Sequence, residues 1–369
     1  MEGKTVTFSH VVLKGSAYEV GKQQGEAIKA FPEFAAYCRS GKGAFSAEAF
    51  GKVTAAFNRY CPGINEELQG FADALGAPVE EIVYYAATWL RAGHCSHVAA
   101  LPAITADHHV LVGRSYEFGD TMDDMMLYTT AIEGKYAHIG FSSLLFGRNE
   151  GMNDQGLSVT MSTGGIPVGN APGLRPAVQD GVHFWALVRT LLEQCATVDE
   201  ALELIATIPA CGNPNLIITD RGEHAALVEL YGPHSAVKRI DSTSVESYVC
   251  STNHFTLPGM EEYTGPVMPN SPVRYQTIQR YIEQTAPKVS VETLKTLLTT
   301  GYPNGLCCHY YEEFFGTLHS MIFDLTAGQI EIGFGSPAAN GWHTIDFRTE
   351  AAQYQIQLPQ EHADASFWK

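Results

Sequence analysis

The 369-residue sequence lacks the long runs of one residue type that mark membrane, secreted or nucleic-acid-binding proteins. It contains no stretch of eighteen uninterrupted apolar residues, and its N-terminus has no apolar run of signal-peptide length. It also lacks any run of five basic residues, and its formal net charge is -17, which would repel polyanions. We therefore expect a cytoplasmic protein that binds neither nucleic acid nor a membrane.

Cysteine pairs and glycine-rich phosphate loops are missing as well. Eight cysteines in 369 residues are too few for a disulfide scaffold, and no CxxC pair occurs. Cys307, Cys308 and His309 are consecutive, but adjacent cysteines fit one tetrahedral ion poorly and no second ligand pair has metal-site spacing. Neither GxGxxG nor GxxxxGK[ST] follows a strand pattern, which argues against nucleotide binding. The sequence therefore predicts neither a metal nor a cofactor.

The composition, 45% hydrophobic and 17% charged, is that of a globular chain with a large core. Apolar spacing and capping residues predict helices at 17–30, 46–60, 64–75 and 79–91, and later at 178–195, 198–208, 271–285 and 291–300. Short β segments bounded by turn residues are predicted as strands, with a hairpin turn at residues 153–156. The predicted strands are 5–13, 109–118, 126–133, 136–145, 157–163, 216–219, 225–231, 236–240, 248–252, 321–324, 330–334 and 342–347. Helices in pairs between groups of antiparallel strands favour a single α+β domain with two stacked sheets covered by helices.

Cys95 lies where the helical segment gives way to the strands, after Gly93 and His94. A cysteine nucleophile needs a base and an oxyanion donor. If the chain stays intact, the base would be a histidine, with His94, His97, His108, His109 and His254 as candidates. If the chain is cut before Cys95, the new α-amine can serve, because its reference pKa of roughly 7.7–8.0 is close to that of a thiol, about 8.5.

Six segments in a fixed order resemble one family. They are 15–25 (GSAYEVGKQQG), 61–76 (beginning CP and ending in glycine), Cys95 itself, Gly113-Arg114, 151–157 (GMNDQGL), and the pair 251–255 (STNHF) with 271–275 (SPVRY). Together they resemble the acyl-coenzyme A:6-aminopenicillanate acyltransferase family of autoproteolytic N-terminal-nucleophile hydrolases, and more distantly bile-salt hydrolases and acid ceramidase-like amidases. The resemblance covers nearly the whole chain and implies the four-layer αββα sandwich of N-terminal-nucleophile hydrolases.

The resemblance also implies a set of catalytic residues. Cys95 would be the nucleophile, and Arg114 would lie beside its sulfur and favour the thiolate. Glu117 falls where relatives have an aspartate that anchors the α-amine, so its side chain is one methylene longer than expected. Asn253 would donate to the oxyanion. The remaining two assignments are a second oxyanion donor at Thr163, with a backbone N–H preferred to the side chain, and a pocket cation at Arg274.

Autoproteolysis is a further implication of the resemblance. Cleavage between His94 and Cys95 would give a light chain of residues 1–94, largely helical, and a catalytic heavy chain of residues 95–369, together forming one domain. Relatives often have glycine before the cysteine, because glycine allows the strained backbone that assists an N-to-S acyl shift. His94 replaces that glycine, so it could slow the cleavage or assist it as a general acid.

The predicted activity is hydrolysis or transfer of the acyl group of a linear amide through a thioester. The expected partners are a small acyl amide or acyl-peptide, an acyl-thioester donor if the reaction is a transfer, and the two chains of the cleaved precursor; a homo-oligomer is left open. The net charge disfavours anionic coenzyme A and so favours hydrolysis. The alternatives are an uncleaved, non-catalytic binding protein of the same fold, and a papain-like peptidase with His254 as base.

Overall fold

A computed structural model describes residues 3–85, 93–121, 123–143, 145–169 and 172–363. The strands in chain order are β1 (Gly3–Gly15), β2 (His94–Ala100), β3 (Leu111–Phe118), β4 (Met126–Ile132), β5 (His138–Ser143), β6 (Gly147–Arg148), β7 (Glu150–Asn153), β8 (Leu157–Thr163), β9 (Pro214–Asp220), β10 (His224–Tyr231), β11 (His234–Ile240), β12 (Tyr248–Ser251), β13 (His309–Tyr310), β14 (Phe315–Asp324), β15 (Gln329–Phe334), β16 (His343–Ile345) and β17 (Ala352–Pro359). The α-helices are α1 (Ala17–Ile28), α2 (Pro32–Cys38), α3 (Ala47–Tyr60), α4 (Ile64–Leu75), α5 (Phe184–Gln194), α6 (Val198–Ile205), α7 (Asn270–Thr285), α8 (Val291–Thr299) and α9 (Pro337–Asn340).

These strands form two sheets. In the described residues the first sheet has ten strands in the order β11-β10-β9-β8-β7-β5-β4-β1-β17, with β6 paired to β5. The second has seven, in the order β12-β2-β3-β14-β15-β16, with β13 paired to β14. Neighbouring strands are antiparallel except β1 and β4, which are parallel. Strand β2, which carries Cys95, lies inside the second sheet between β12 and β3.

Three apolar clusters separate the layers. The middle cluster combines residues of both sheets, such as Phe8 and Phe141 from the first and Phe323 and Phe334 from the second. A second cluster joins helices α1 to α6 to the outer face of the first sheet, and a third joins α7 and α8 to the outer face of the second. A sheet buries each face against a neighbouring layer, so this arrangement is the predicted four-layer αββα sandwich, and the predicted fold class is confirmed.

Residues 3–85 are part of this sandwich. Strand β1 pairs with β17 on one side and β4 on the other, and so lies within the first sheet. Helices α1 and α4 pack at very short range, because a Cβ on Gly21 would lie 1.8 Å from the carbonyl oxygen of Glu67. The carboxylate of Glu67 forms a buried ion pair with Arg189 of α5. The N-terminal segment is therefore joined to the remainder by backbone pairing and by buried charge.

Several element predictions are correct in position. Ser16 and Glu19 form the predicted capping box of α1, and Ser46 and Thr197 cap α3 and α6. Gly76 ends α4 in a left-handed conformation, as a C-terminal glycine should. In the described part of the chain no helix is both long and apolar enough to cross a bilayer.

Other predictions are wrong. The helix predicted at 79–91 is two single 3₁₀ turns over 79–81 and 83–85, because Ile82 is extended and each residue from Ile82 to Tyr85 is buried by tertiary contacts; residues 86–91 lie outside the described residues. The helix predicted at 178–195 begins at Phe184, because the N–H of Val182 donates to the carbonyl of Pro209 instead. Helices α2 and α9 and strands β2, β6, β13 and β17 were not predicted. Strand β2 is buried along its whole length, so its sequence lacks the alternation that marks a strand.

Candidate active site

Strand register places a cluster of polar side chains around Cys95. On β2 and β3, Cys95 lies opposite Tyr116 and His97 lies opposite Arg114. Arg114 is thus the diagonal neighbour of Cys95 on the same face, within reach of a long side chain. On the other side of β2, Ser251 lies opposite His97, so the chain continues from β12 towards the level of Cys95. Both neighbouring strands therefore bring polar residues to the cysteine.

The sulfur of Cys95 faces the space between the two sheets and accepts a hydrogen bond from Arg114. The distance from Arg114 Nη2 to Sγ is 3.2 Å, and both side chains are buried. Burial raises the pKa of the Cys95 thiol, and the Arg114 guanidinium opposes that rise. Arg114 also donates from Nε to Glu150 at 2.9 Å. Glu150 lies on β7, so this ion pair crosses from one sheet to the other.

Glu150 receives a second charge-assisted contact, from His319 of β14. The distance from His319 Nε2 to Glu150 Oε1 is 3.0 Å, and the imidazole stacks on Phe141 with ring centroids 3.7 Å apart. Although burial raises the pKa of Glu150, His319 and Arg114 outweigh this effect, and the pKa is lowered. The carboxylate is therefore ionised and holds the Arg114 guanidinium in place beside the sulfur.

The backbone of Cys95 is held by two other residues. Its N–H donates to Asn253 Oδ1 at 2.8 Å, and its carbonyl oxygen accepts from Arg274 Nη1 at 2.5 Å. Arg274, on α7, also donates from Nη2 to Asn253 Oδ1 at 2.8 Å. Because two donors converge on that oxygen, the orientation of the Asn253 amide is fixed by its neighbours. The N–H that donates to Asn253 belongs to the peptide bond between His94 and Cys95, which is the bond predicted to be cleaved.

The amide nitrogen of Asn253 points to the end of β8. Asn253 Nδ2 lies 3.3 Å from both the carbonyl oxygen and the hydroxyl of Thr163. The backbone N–H groups of the next two residues are already engaged, since Gly164 donates to Asn213 and Gly165 donates to the carbonyls of Thr163 and Asn253. The Thr163 side chain and Asn253 Nδ2 thus form a pair of potential donors at one point.

Glu117 lies on the opposite face of β3 from Arg114, directly across from His94. It accepts hydrogen bonds from Ser115 and, at 3.4 Å, from Thr317, both on the same carboxylate oxygen. Its other oxygen has no hydrogen-bond partner among the described residues. Burial raises the pKa of Glu117 to about 7, and the nearby Arg274 lowers it only in part. A buried carboxyl with one unoccupied oxygen is well placed to receive a cation.

The candidate histidine bases do not contact the sulfur. His94 Nδ1 lies 3.3 Å from Asn270 Oδ1, and His97 bonds to Thr160 and Ser162 of the first sheet. His254 bonds to Ser271 at 2.8 Å. Burial lowers the pKa of His94 to about 3 and that of His254 to about 4, so both are neutral. Within the described residues, the hydrogen bond to Cys95 Sγ comes from Arg114.

Three site residues were missed in the sequence. Glu150 directly precedes the 151–157 segment that carried the resemblance, which was a signal that it lies near the site, but nothing indicated its partners. Asn270 likewise directly precedes the 271–275 segment, and its partner was not indicated. His319 carried no signal, because it is defined by contacts with residues distant in sequence. The described residues contain no group of three or more His, Cys, Asp or Glu side chains arranged to hold a metal ion.

The fold and the site place a buried cysteine on an interior strand of an αββα sandwich. The profile of one family, acyl-coenzyme A:6-aminopenicillanic acid acyl-transferase, matches residues 105–339. The chain belongs to this family, as the sequence resemblance predicted. The matched region includes Arg114, Glu117, Asn253 and Arg274 and begins after Cys95.

The solved structures that match the chain include the following three. An N-acylethanolamine-hydrolyzing acid amidase ortholog from Caenorhabditis elegans is 12% identical and has a TM-score of 0.43, covering 63% of this chain and 93% of its own. Penicillin V acylase from Agrobacterium tumefaciens is 13% identical, with a TM-score of 0.43 and coverages of 68% and 86%. A mutant conjugated bile acid hydrolase from Clostridium perfringens is 13% identical, with a TM-score of 0.46 and coverages of 73% and 99%. Comparison with curated protein sequences gives no match.

Proposed function

We propose that this protein is an autoproteolytically activated cysteine amidase or acyltransferase in which Cys95 is the nucleophile. One observation carries the proposal: the sulfur of Cys95 is hydrogen bonded to Arg114 while the backbone nitrogen of the same residue is hydrogen bonded to Asn253. A cysteine that acts only as a small core residue needs neither contact. A residue that supplies both a nucleophilic sulfur and, after cleavage, a basic amine needs both groups held in place.

The first reaction is cleavage of the chain. The Cys95 sulfur attacks the carbonyl carbon of His94, the C–N bond breaks, and the nitrogen leaves as the α-amine while a thioester joins His94 to the sulfur. Water then attacks the thioester, which releases residues 1–94 with a new carboxylate and returns the thiol. The Asn253 contact at the backbone nitrogen supports this step, because it orients the leaving group before the bond breaks.

The second reaction repeats this chemistry on a substrate amide. The α-amine of Cys95 takes the thiol proton, the sulfur attacks the substrate carbonyl, and the protonated amine then gives its proton to the leaving amine. Asn253 Nδ2 and the Thr163 hydroxyl stabilise the oxyanion; the hydroxyl replaces the backbone N–H expected from the sequence, since the two following N–H groups are engaged. Water or an acceptor amine releases the acyl group from the sulfur.

Three charged residues have supporting roles in this mechanism. Arg114 favours the thiolate, and Glu150 holds Arg114 in position. Glu117 anchors the new α-ammonium, because its unoccupied oxygen faces the side of the sheet on which His94 lies before cleavage. Departure of His94 from the strand end gives the unoccupied oxygen of Glu117 a hydrogen-bond donor, which it lacks among the described residues of the intact chain.

The test is the N-terminal sequence and intact mass of the purified protein. We expect two chains, one beginning at Cys95, and a single intact chain in the Cys95→Ala variant. A Cys250→Ala variant is the matched control: Cys250 is a buried thiol on neighbouring β12, and its loss should leave processing unchanged. An intact wild-type chain with full turnover would overturn the cleavage, and turnover retained in Cys95→Ala would overturn the nucleophile.

The substrate requires a separate screen. Linear acyl amines, acyl-dipeptides and lactams, each with and without an acyl-thioester donor, distinguish hydrolysis from transfer. Release of free acid without a donor indicates hydrolysis, and donor-dependent formation of a new amide indicates transfer. A protein that binds these compounds and turns over none would support the non-catalytic alternative.

A further inference from the structure

A second polar cluster lies at the far end of the chain and contains a cysteine that the proposed reaction does not use. The second thiol cluster consists of Cys307, His309, Ser336 and Glu361. His309 Nε2 lies 3.6 Å from Cys307 Sγ and 2.8 Å from Ser336 Oγ, and Ser336 Oγ lies 3.2 Å from the same sulfur. On the other side of the ring, His309 Nδ1 lies 3.1 Å from Glu361 Oε1.

This order of groups, thiol to imidazole to carboxylate, activates cysteines. Glu361 fixes the ring so that Nε2 faces the sulfur, and its charge stabilises the imidazolium form. Burial lowers the pKa of His309, but Cys307 and Glu361 outweigh that effect and raise the pKa to about 8. The imidazole can therefore give a proton to a leaving group at the sulfur, and the Ser336 hydroxyl lies within hydrogen-bond distance of the same sulfur.

The molecule contains an internal comparison for this arrangement. Cys211 Sγ lies 3.2 Å from His183 Nδ1, closer than the distance in the second thiol cluster, but the described contacts of His183 include no carboxylate. Burial lowers the pKa of His183 to about 4 and raises that of Cys211 to about 12. A neighbouring histidine is therefore insufficient. The carboxylate of Glu361 is the feature that distinguishes Cys307 from Cys211.

Solvent reaches the cluster from the carboxylate side. Cys307 itself is only 3% exposed, but the side chains of His309 and Glu361 are 17% and 43% exposed. The neighbouring Cys308 differs, because its sulfur faces the carbonyl of Leu306 at 3.7 Å and burial raises its pKa well above the ordinary value. A small reagent that passes His309 therefore meets Cys307 before Cys308.

We propose that Cys307 is a second reactive thiol, a modification site for small electrophiles such as hydrogen peroxide. In that reaction the sulfur attacks one peroxide oxygen, an S–O bond forms as the O–O bond breaks, and the leaving hydroxide takes the His309 proton to become water. Sulfur loses two electrons and peroxide gains them, so the product is a sulfenic acid. The inference does not depend on the reaction assigned to Cys95.

The test uses the full chain with Cys95→Ala, so that the other nucleophile is absent. The protein is treated with peroxide and then with dimedone at pH 7, and peptide mass mapping gives the labelling rate of each cysteine. We expect Cys307 to be labelled at least about ten times faster than Cys211, because His309 beside Cys307 can protonate the leaving hydroxide. Glu361→Gln should reduce the Cys307 rate, whereas Glu350→Gln, at an exposed site, should not.

A second variant keeps the result decisive if Glu361→Gln is poorly folded. His309→Gln retains a polar side chain but cannot form an imidazolium, and it should slow the labelling of Cys307 about as much. The proposal is overturned if Cys307 is labelled as slowly as Cys211 in the parent protein, or if both variants are labelled at the parent rate.

Discussion

Replacing Glu117 by glutamine should stabilise the intact chain at high pH while damaging catalysis. The physical reason is the buried carboxyl, whose pKa is raised from 4.5 to about 7 in the folded protein. As pH rises from 4.5 to 7, the unfolded chain releases a proton that the folded chain retains, so the folded state loses stability across this window. Glutamine does not titrate and removes that loss.

The size of the effect on stability follows from the shift in the pKa of Glu117. One pKa unit corresponds to about 1.4 kcal/mol, so the shift from 4.5 to about 7 corresponds to about 3 kcal/mol at pH 8 and less than about 1 kcal/mol at pH 5. Entropies of unfolding scale with chain length, and for 369 residues about 3 kcal/mol corresponds to a rise in melting temperature of about 4 °C.

The assay is thermal unfolding of Cys95→Ala with and without Glu117→Gln, at pH 5 and pH 8, since the Cys95→Ala background keeps the chain uncut. Turnover of Glu117→Gln in the otherwise wild-type protein is measured separately and should fall, because the α-ammonium loses its anchor. Glu117→Asp, which keeps a carboxylate but shortens the side chain by one methylene, should retain more activity. Equal melting temperatures at pH 8, or a gain that is the same at both pH values, would refute the reasoning.

Three further substitutions test the site and its support. Arg114→Lys cannot hold the sulfur of Cys95 and its carboxylate partner together, so turnover and iodoacetamide labelling of Cys95 should each fall about 10- to 100-fold, the value of a charge-assisted hydrogen bond of about 1.5–3 kcal/mol. Glu67→Gln leaves Arg189 with an incomplete buried ion pair and should cost about 3–5 kcal/mol in the free energy of unfolding, measured by urea titration. His254→Ala should change kcat/KM less than about threefold, because that imidazole is neutral and does not contact the sulfur.

Each of these predictions has a control and a contrary outcome. Arg348→Lys, in an exposed pair, should leave labelling unchanged, and full labelling in Arg114→Lys would remove the guanidinium from the mechanism. Glu26→Gln breaks an exposed pair with Lys29 and should cost less than about 1 kcal/mol; an equal cost for Glu67→Gln would contradict the role of burial. A loss of two or more orders of magnitude in His254→Ala would favour the papain-like alternative.

Features that depend on a few neighbouring residues could be predicted from the sequence alone. The capping box of Ser16 and Glu19, the left-handed stop at Gly76 and the turn at 153–156 each depend on residues within one turn of chain, so their local chemistry was sufficient. The order of helices and strands predicted the layered architecture. The ordered segments around Cys95 gave the family and the short list of candidate site residues.

Which of those side chains contact one another depends on tertiary packing. Both faces of strand β2 are buried, so apolar and polar residues do not alternate along it. The segment that carries Cys95 could therefore not be predicted as a strand. Glu150 lies 36 residues from Arg114 and reaches it only because the two sheets stack, and His319 completes the pair from a third strand. The direction of the Asn253 amide likewise depends on donors from β2 and α7. Local sequence constrains backbone conformation, whereas side-chain contacts between distant segments are fixed by the packing of whole layers.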